Sequence, residues 1–290
     1  MKLTKIYWLI LSFIALFSSC NPDQQDDDVI LSALVLENIQ YGNNEDEIFD
    51  LYLPEGRSSS KTKVIVLIHG GGWVNGDKND MATYVDYFQS NHPDYAILNL
   101  NYTLSVAGSI PAFPNQYLDI QLALNYVTLF SEAFQILPEY GMLGRSAGAH
   151  LAMMYDYAYD AANEVKFIAN IVGPSNLEDP FYTNQPNYED RLEQLVEESQ
   201  YPEDANYALL NSPIYYTNQF SSPTLMFYGK RDQIVPLSNG NDLHQALNLE
   251  DQSNIYSIYN GGHGNDWTEE ERADMFNKID NYLFTYLPID

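Results

Sequence analysis

Five consecutive apolar residues, Val64-Ile65-Val66-Leu67-Ile68, stand between Lys63 and His69 with no polar position among them. Successive side chains of a strand point to opposite faces, so a strand without polar positions is buried on both. Such strands belong to parallel sheets covered by helices on either side. Other mostly apolar runs, at residues 95–100, 141–143, 167–172, 224–228 and 255–258, read as further strands. Helical stretches separate them at 81–90, 115–134, 147–159, 238–249 and 266–286. Upstream, residues 32–53 alternate apolar and polar around Tyr41-Gly42-Asn43-Asn44, the pattern of two strands joined by a turn. Strands alternating with helices predict an α/β chain with a doubly wound, mostly parallel sheet. Ligands of such sheets bind outside the carboxyl ends of the strands.

The sequence at those strand ends carries chemistry. Gly144-Arg145-Ser146-Ala147-Gly148 fits G-x-S-x-G and lies between the short strand 141–143 and an Ala-rich helix. In that setting the serine occupies a tight elbow, with small residues two before and two after it, and its hydroxyl is thrust above the sheet. The competing reading makes Ser146 a plain helix cap. His69-Gly70-Gly71-Gly72-Trp73 follows the buried strand, and its glycines let backbone N–H groups face a ligand. The amides of Gly71, Gly72 and Ala147 are therefore candidate donors to an oxyanion. A phosphate cradle would need a following G-K-S or G-x-x-G, which is absent.

A serine hydroxyl needs a base, and the base needs a third group to hold it. Of five histidines, His69 lies in the glycine loop and His92 follows the first helix. His150 sits one turn beyond Ser146 and reads as a packing residue, and His244 reads as a surface residue of an amphipathic helix. His263, in Gly261-Gly262-His263-Gly264 after a strand, is free to reach over the elbow. Asp232 follows the strand 224–228 and a short turn, whereas Asp266 reads as the cap of the last helix. The order Ser146, Asp232, His263 is that of a catalytic triad built on such a sheet.

These segments resemble the hormone-sensitive-lipase-like and bifunctional feruloyl and acetyl-xylan esterase branch of the α/β-hydrolases. The resemblance runs from about residue 49 to 284. It rests on Asp50-Leu51-Tyr52-Leu53-Pro54, on His69 to Trp73 with Gly76-Asp77-Lys78, on Gly144 to Leu151, on Asp232 to Pro236 and on Gly262-His263. It implies an α/β-hydrolase fold and a serine esterase acting through an acyl-enzyme on small esters or esterified glycans, with no metal or organic cofactor. A prolyl-oligopeptidase-type peptidase, an arylformamidase and a non-catalytic binding protein on the same scaffold are the alternatives. The chain departs from the branch at Tyr102-Thr103-Leu104, where members often read Tyr-Arg-Leu, and at Tyr228-Gly229, where many read His-Gly. An insert at about 175–211 precedes the strand leading to Asp232. It reads either as a cap over the site or as a surface decoration, and the tyrosines in and around it, among them Tyr182, Tyr188, Tyr201, Tyr207, Tyr215 and Tyr216, suit sugars or aromatic acids.

The amino-terminal residues concern location. Lys2 and Lys5 precede an apolar run from Ile6 to Phe17, too short to span a bilayer as a helix and closed by Ser18-Ser19-Cys20. This predicts a signal peptide over 1–19. Cys20, the single cysteine of the chain, resembles the acylated residue of a bacterial lipoprotein. The acidic stretch that follows predicts a tether over 20–31 leading to the hydrolase domain at 32–290, and the chain is expected at the cell envelope, on the outer membrane. With 40 acidic against 13 basic residues the formal charge is −27. That field disfavours nucleic acid as a partner. One cysteine and scattered histidines offer no metal-ligand cluster, and the oligomeric state is not encoded in any motif.

Overall fold

The computed structural model describes residues 30–289. The signal peptide, Cys20 and the acidic tether up to residue 29 lie outside the described residues. The order is β1 (Leu34–Gln40), β2 (Ile48–Leu53), β3 (Val64–Ile68), α1 (Ala82–Asn91), β4 (Ala96–Leu100), α2 (Asn115–Leu129) with a separate helical turn at Ser131–Phe134, β5 (Tyr140–Arg145) and α3 (Ala147–Met154). Then come β6 (Val165–Ile171), the short helices α4 (Pro180–Thr183), α5 (Tyr188–Glu193) and α6 (Tyr207–Leu210), β7 (Thr224–Gly229), α7 (Leu237–Leu249), β8 (Asn254–Tyr259) and α8 (Glu269–Tyr286).

The strands form one sheet in the order β1-β2-β4-β3-β5-β6-β7-β8. β2 is antiparallel to β1 and to β4, and every pairing from β4 to β8 is parallel. The doubly wound, mostly parallel sheet expected from the apolar runs is thus present. β3 shows why the runs read as they do. Val64, Val66 and Ile68 pack with Tyr117, Ile120 and Leu124 of α2, Leu151 of α3 and Leu243 of α7 on one face. Ile65 and Leu67 pack with Val85 and Phe88 of α1 and with Met275, Ile279 and Leu283 of α8 on the other. Each such side chain, fully buried, contributes roughly 1.5–3 kcal/mol.

Two boundaries differ instructively from the sequence reading. The helix expected to run to residue 159 is α-helical only as far as Met154. Beyond it the chain widens into a turn in which Asp160 N–H donates to Tyr155 O at 2.9 Å, and the buried Asp156 carboxylate accepts Ser222 N–H at 2.9 Å and Ser222 Oγ–H at 2.7 Å. The last helix starts at Glu269 rather than at Asp266. Thr268 is its cap, in a reciprocal pair with Glu271, and Asp266 instead braces the loop before it.

The insert is pinned to the sheet's helices. Phe113 and residues 195–197 bridge like a strand pair, with Phe113 N–H donating to Leu195 O at 2.8 Å and Glu197 N–H to Phe113 O at 2.8 Å. Asn211 Oδ1 accepts both the Tyr117 hydroxyl, at 3.0 Å, and the Tyr201 hydroxyl, at 2.7 Å.

Candidate active site

β3, β5, β7 and β8 are mutually parallel, so the loops leaving their carboxyl ends rise from one edge of the sheet, and these loops carry His69–Trp73, Ser146, Asp232 and His263. Ser146 sits at φ 52°, ψ −121°, a conformation that costs an L-residue about 1–3 kcal/mol. The neighbours make it possible. A Cβ on Gly148 would stand 2.3 Å from the carbonyl oxygens of Ile68 and His69, and one on Gly144 would stand 2.5 Å from the backbone of Ala149. Ser146 N–H donates to Ile171 O of β6 at 2.8 Å, which ties the elbow to the neighbouring strand.

His263 bridges the other two residues. Its Nε2 lies 2.8 Å from Ser146 Oγ and its Nδ1 2.7 Å from Asp232 Oδ2. The Asp232 side chain is fully buried, and its Oδ1 accepts the amides of Ile234 and Val235 at 2.8 and 3.0 Å. Buried, hydrogen-bonded and facing an imidazole, the carboxylate fixes the ring with Nδ1 protonated, which leaves Nε2 to accept from the serine. In this arrangement the Oγ proton can pass to the imidazole as the oxygen attacks an electrophile, and the carboxylate stabilises the resulting imidazolium.

The His263 loop is held by residues that the sequence reading did not assign to the site. Arg145 donates from Nη2 to His263 O at 3.2 Å and to Asn265 Oδ1. Gly262 N–H donates to Asp266 Oδ1 at 2.6 Å, and Trp267 Nε1–H to Gly262 O at 3.2 Å. Arg145 is the variable residue of the elbow pattern, and a guanidinium beside the nucleophile was the one available signal of this brace.

The glycine loop turns back on itself. Gly71 and Gly72 lie at φ 125° and 60°, the Gly71 carbonyl accepts Val74 N–H and Asn75 N–H, and a Cβ on Gly71 would stand 1.8 Å from Asn75 O. The amides of Gly71 and Gly72 meet no acceptor among the described residues, and that of Ala147 opens α3, where the first turn has no intrahelical acceptors. Gly72, Ser146 and Ala147 line a cavity of about 510 Å³; Gly71 does not. The rest of the lining is largely apolar, with Trp73 and Val74 from the loop, Leu177, Tyr182, Tyr188, Leu192 and Leu195 from the insert, and Ile234 and Val235 from beside Asp232. The insert therefore forms one wall of the site.

The remaining histidines have other partners. His69 Nδ1 donates to Gly70 O at 2.6 Å, with its ring stacked on Tyr102, and burial lowers its pKa. His92 pairs with Asp280 at 2.7 Å, His244 bonds Asn254, and His150 is fully buried. Among the described residues no group of three or more His, Cys, Asp or Glu is arranged to hold a metal.

A family model, BD-FAE, matches residues 49–247. Esterase LipC of Mycobacterium tuberculosis is 22% identical over 252 residues, which are 81% of this chain and 61% of LipC, so the chain spans about three fifths of that relative's length. A truncated carbohydrate esterase from gut microbiota superposes with a TM-score of 0.70 at 19% identity, over 87% of this chain and 96% of that one. Esterase B from Lactobacillus rhamnosis gives 0.68 at 17% identity over 96% and 92%. A thermophilic esterase from Thermogutta terrifontis gives 0.69 at 16% over 89% and 94%. These likenesses show a shared fold, that of the α/β-hydrolases.

Proposed function

Because this chain belongs to the BD-FAE family, we propose that it is a serine carboxylic-ester hydrolase working through an acyl-enzyme, with acetyl or feruloyl esters of carbohydrates as its substrates. The observation that carries the reading is the line from Asp232 through His263 to Ser146, at 2.7 and 2.8 Å, beneath a hydroxyl lifted by the strained elbow. His263 takes the Ser146 proton as Oγ adds to the ester carbonyl. The amides of Gly71, Gly72 and Ala147 receive the oxyanion, donors of this kind contributing about 3–4 kcal/mol each. His263 then protonates the leaving alcohol, and water repeats the sequence on the acyl-enzyme with the same proton traffic. The aromatic and aliphatic walls of the cavity suit the acyl group, and its volume leaves room for an aromatic acid.

A fluorophosphonate probe tests the chemistry: it labels Ser146 in the folded protein and not in S146A, and an unlabelled wild type sinks the reading. A panel of acetylated xylan, feruloylated arabinoxylan fragments and peptide anilides tests the substrate, with hydrolysis confined to the anilides as the refuting result. On the strength of the amino-terminal pattern alone, the enzyme is also proposed to act at the bacterial envelope, anchored through Cys20. Radiolabelled palmitate that enters wild type but not C20A is the expected outcome.

A further inference from the structure

His150 is buried on α3 one turn beyond Ser146, and the chemistry above makes no use of it. Both of its ring nitrogens are nonetheless engaged. Trp73 Nε1 lies 3.2 Å from Nδ1, and Asn211 O lies 2.8 Å from Nε2. An indole N–H can only donate and a carbonyl can only accept, so the ring is the neutral tautomer protonated on Nε2. Burial lowers its pKa to about 4, which keeps it neutral across the working range.

The two partners belong to different parts of the site. Trp73 closes the glycine loop immediately after Gly72, in a left-handed conformation at φ 67°, and its carbonyl accepts Ser105 N–H at 2.9 Å and Gln116 Nε2 at 2.8 Å. Asn211 closes the insert, gripped at its side chain by Tyr117 and Tyr201. His150 stands between them on the helix that begins at the serine. It is the point at which the donor loop, the elbow and the insert share one polar connection.

We propose that His150 is a positioning residue: by accepting the Trp73 indole proton while donating to Asn211, it fixes the oxyanion loop relative to Ser146. The inference rests on the proposed serine-esterase function. Its physical basis is that donors stabilise an oxyanion only when they are preorganised at its position, and a small displacement of the loop costs rate rather than substrate binding.

The test compares H150L, H150N, W73F and the H150L/W73F double variant on a short-chain 4-nitrophenyl ester, with hydrogen exchange of the Trp73 indole proton followed by NMR. H150L and W73F are expected to lower kcat by about tenfold or more, with KM changed much less, since the loop donors act mainly in the transition state. The double variant falls no further than the worse single variant, because both remove one connection. In H150N the side-chain oxygen can stand where Nδ1 stands, so most of the kcat lost in H150L returns and the slow exchange of the indole proton returns with it. The proposal is overturned by a folded H150L with wild-type kcat, by losses confined to KM, or by multiplicative effects in the double variant. Should H150L not fold, W73F decides alone, and wild-type kcat in W73F refutes the proposal. A wild type inactive on every ester would instead refute the proposed function, and the indole exchange in H150L against wild type would still decide the His150–Trp73 link.

Discussion

Replacing Asp156 by asparagine should stabilise the protein, and the size of the effect follows from where the carboxyl lies. Asp156 is buried just past the end of the elbow helix, facing Ser222 at the entry to β7. Burial raises its pKa from 3.8 to about 7, and the nearby Asp160 adds to the rise against the pull of the two Ser222 hydrogen bonds. About three powers of ten in proton affinity correspond to about 4 kcal/mol. Because the folded pKa lies above the unfolded one, the native state binds the proton more tightly. The corresponding stability is complete below pH 3.8 and is lost as the pH rises through 7. At pH 8 the wild type thus bears a charge that folding disfavours by about 4 kcal/mol.

Asparagine keeps the hydrogen bonds without the charge. Its carbonyl accepts Ser222 N–H and its amide donates to Ser222 Oγ, whose own proton is free for Val165 O at 2.9 Å. D156N should therefore gain about 4 kcal/mol at pH 8 and under about 1 kcal/mol at pH 4, and for a domain of this size the larger figure is a rise in Tm of about 8 °C or more. Thermal unfolding followed by circular dichroism at the two pH values reads this directly. A lower Tm for D156N at pH 8, or equal shifts at pH 4 and pH 8, would refute the reasoning.

Other expectations follow from the same geometry. Asp119, raised to about 7 chiefly by burial, acts in the same direction as Asp156, whereas His150, lowered to about 4 by burial, contributes stability that is complete above pH 6.5 and lost as the pH falls through 4. Two carboxyls outweigh one imidazole, and self-repulsion at −27 also eases in acid, so urea unfolding should show a larger free energy at pH 5 than at pH 8. D232N leaves the fold intact but lowers kcat by about 10⁴, because the imidazole loses the partner that sets its tautomer; steady-state kinetics with a matched Tm checks this. G148A drives a methyl against two carbonyl oxygens at 2.3 Å, and both Tm and fluorophosphonate labelling of Ser146 should fall together. R145M releases the backbone of His263 and should cut kcat by about tenfold to a hundredfold at little cost in Tm, and an unchanged kcat would show that Asp266 and Trp267 suffice to hold the loop.

The legible parts of the molecule were those that local pattern fixes. β3 could be read because every position in it is apolar and buried, β4 to β8 because each is a short, mostly apolar run between helical stretches, and Ser146, Asp232 and His263 because each follows such a strand by a few residues. The braces of the site were not legible in the same way, since Arg145, Asp266 and Trp267 meet the His263 loop only once β5 and β8 stand on one sheet edge. Asp266 shows how local reading misleads. Asp266 and Thr268 are both good caps, each with a glutamate three residues on, and the fold decides between them: Asp266 Oδ1 is taken by Gly262 N–H, while Thr268 and Glu271 form the reciprocal pair. His150 looked like packing for a similar reason: its environment is apolar except at its two ring nitrogens, whose partners lie 77 and 61 residues away along the chain.

Thr103, at the departure from the Tyr-Arg-Leu pattern, meets a buried acid through its backbone N–H. The acid is Asp119 of α2, whose Oδ2 accepts the N–H of Thr103, in the loop between β4 and α2, at 2.8 Å. Burial first, and then the neighbouring Glu47, outweigh the hydrogen bonds from Thr103 and raise its pKa well above the usual carboxylate range. The Thr103 carbonyl is satisfied separately by Gln116 Nε2 at 2.8 Å, the same amide that donates to Trp73 O. Gln116, shared between the two carbonyls, thus ties the loop after β4 to Trp73, the residue that follows Gly72.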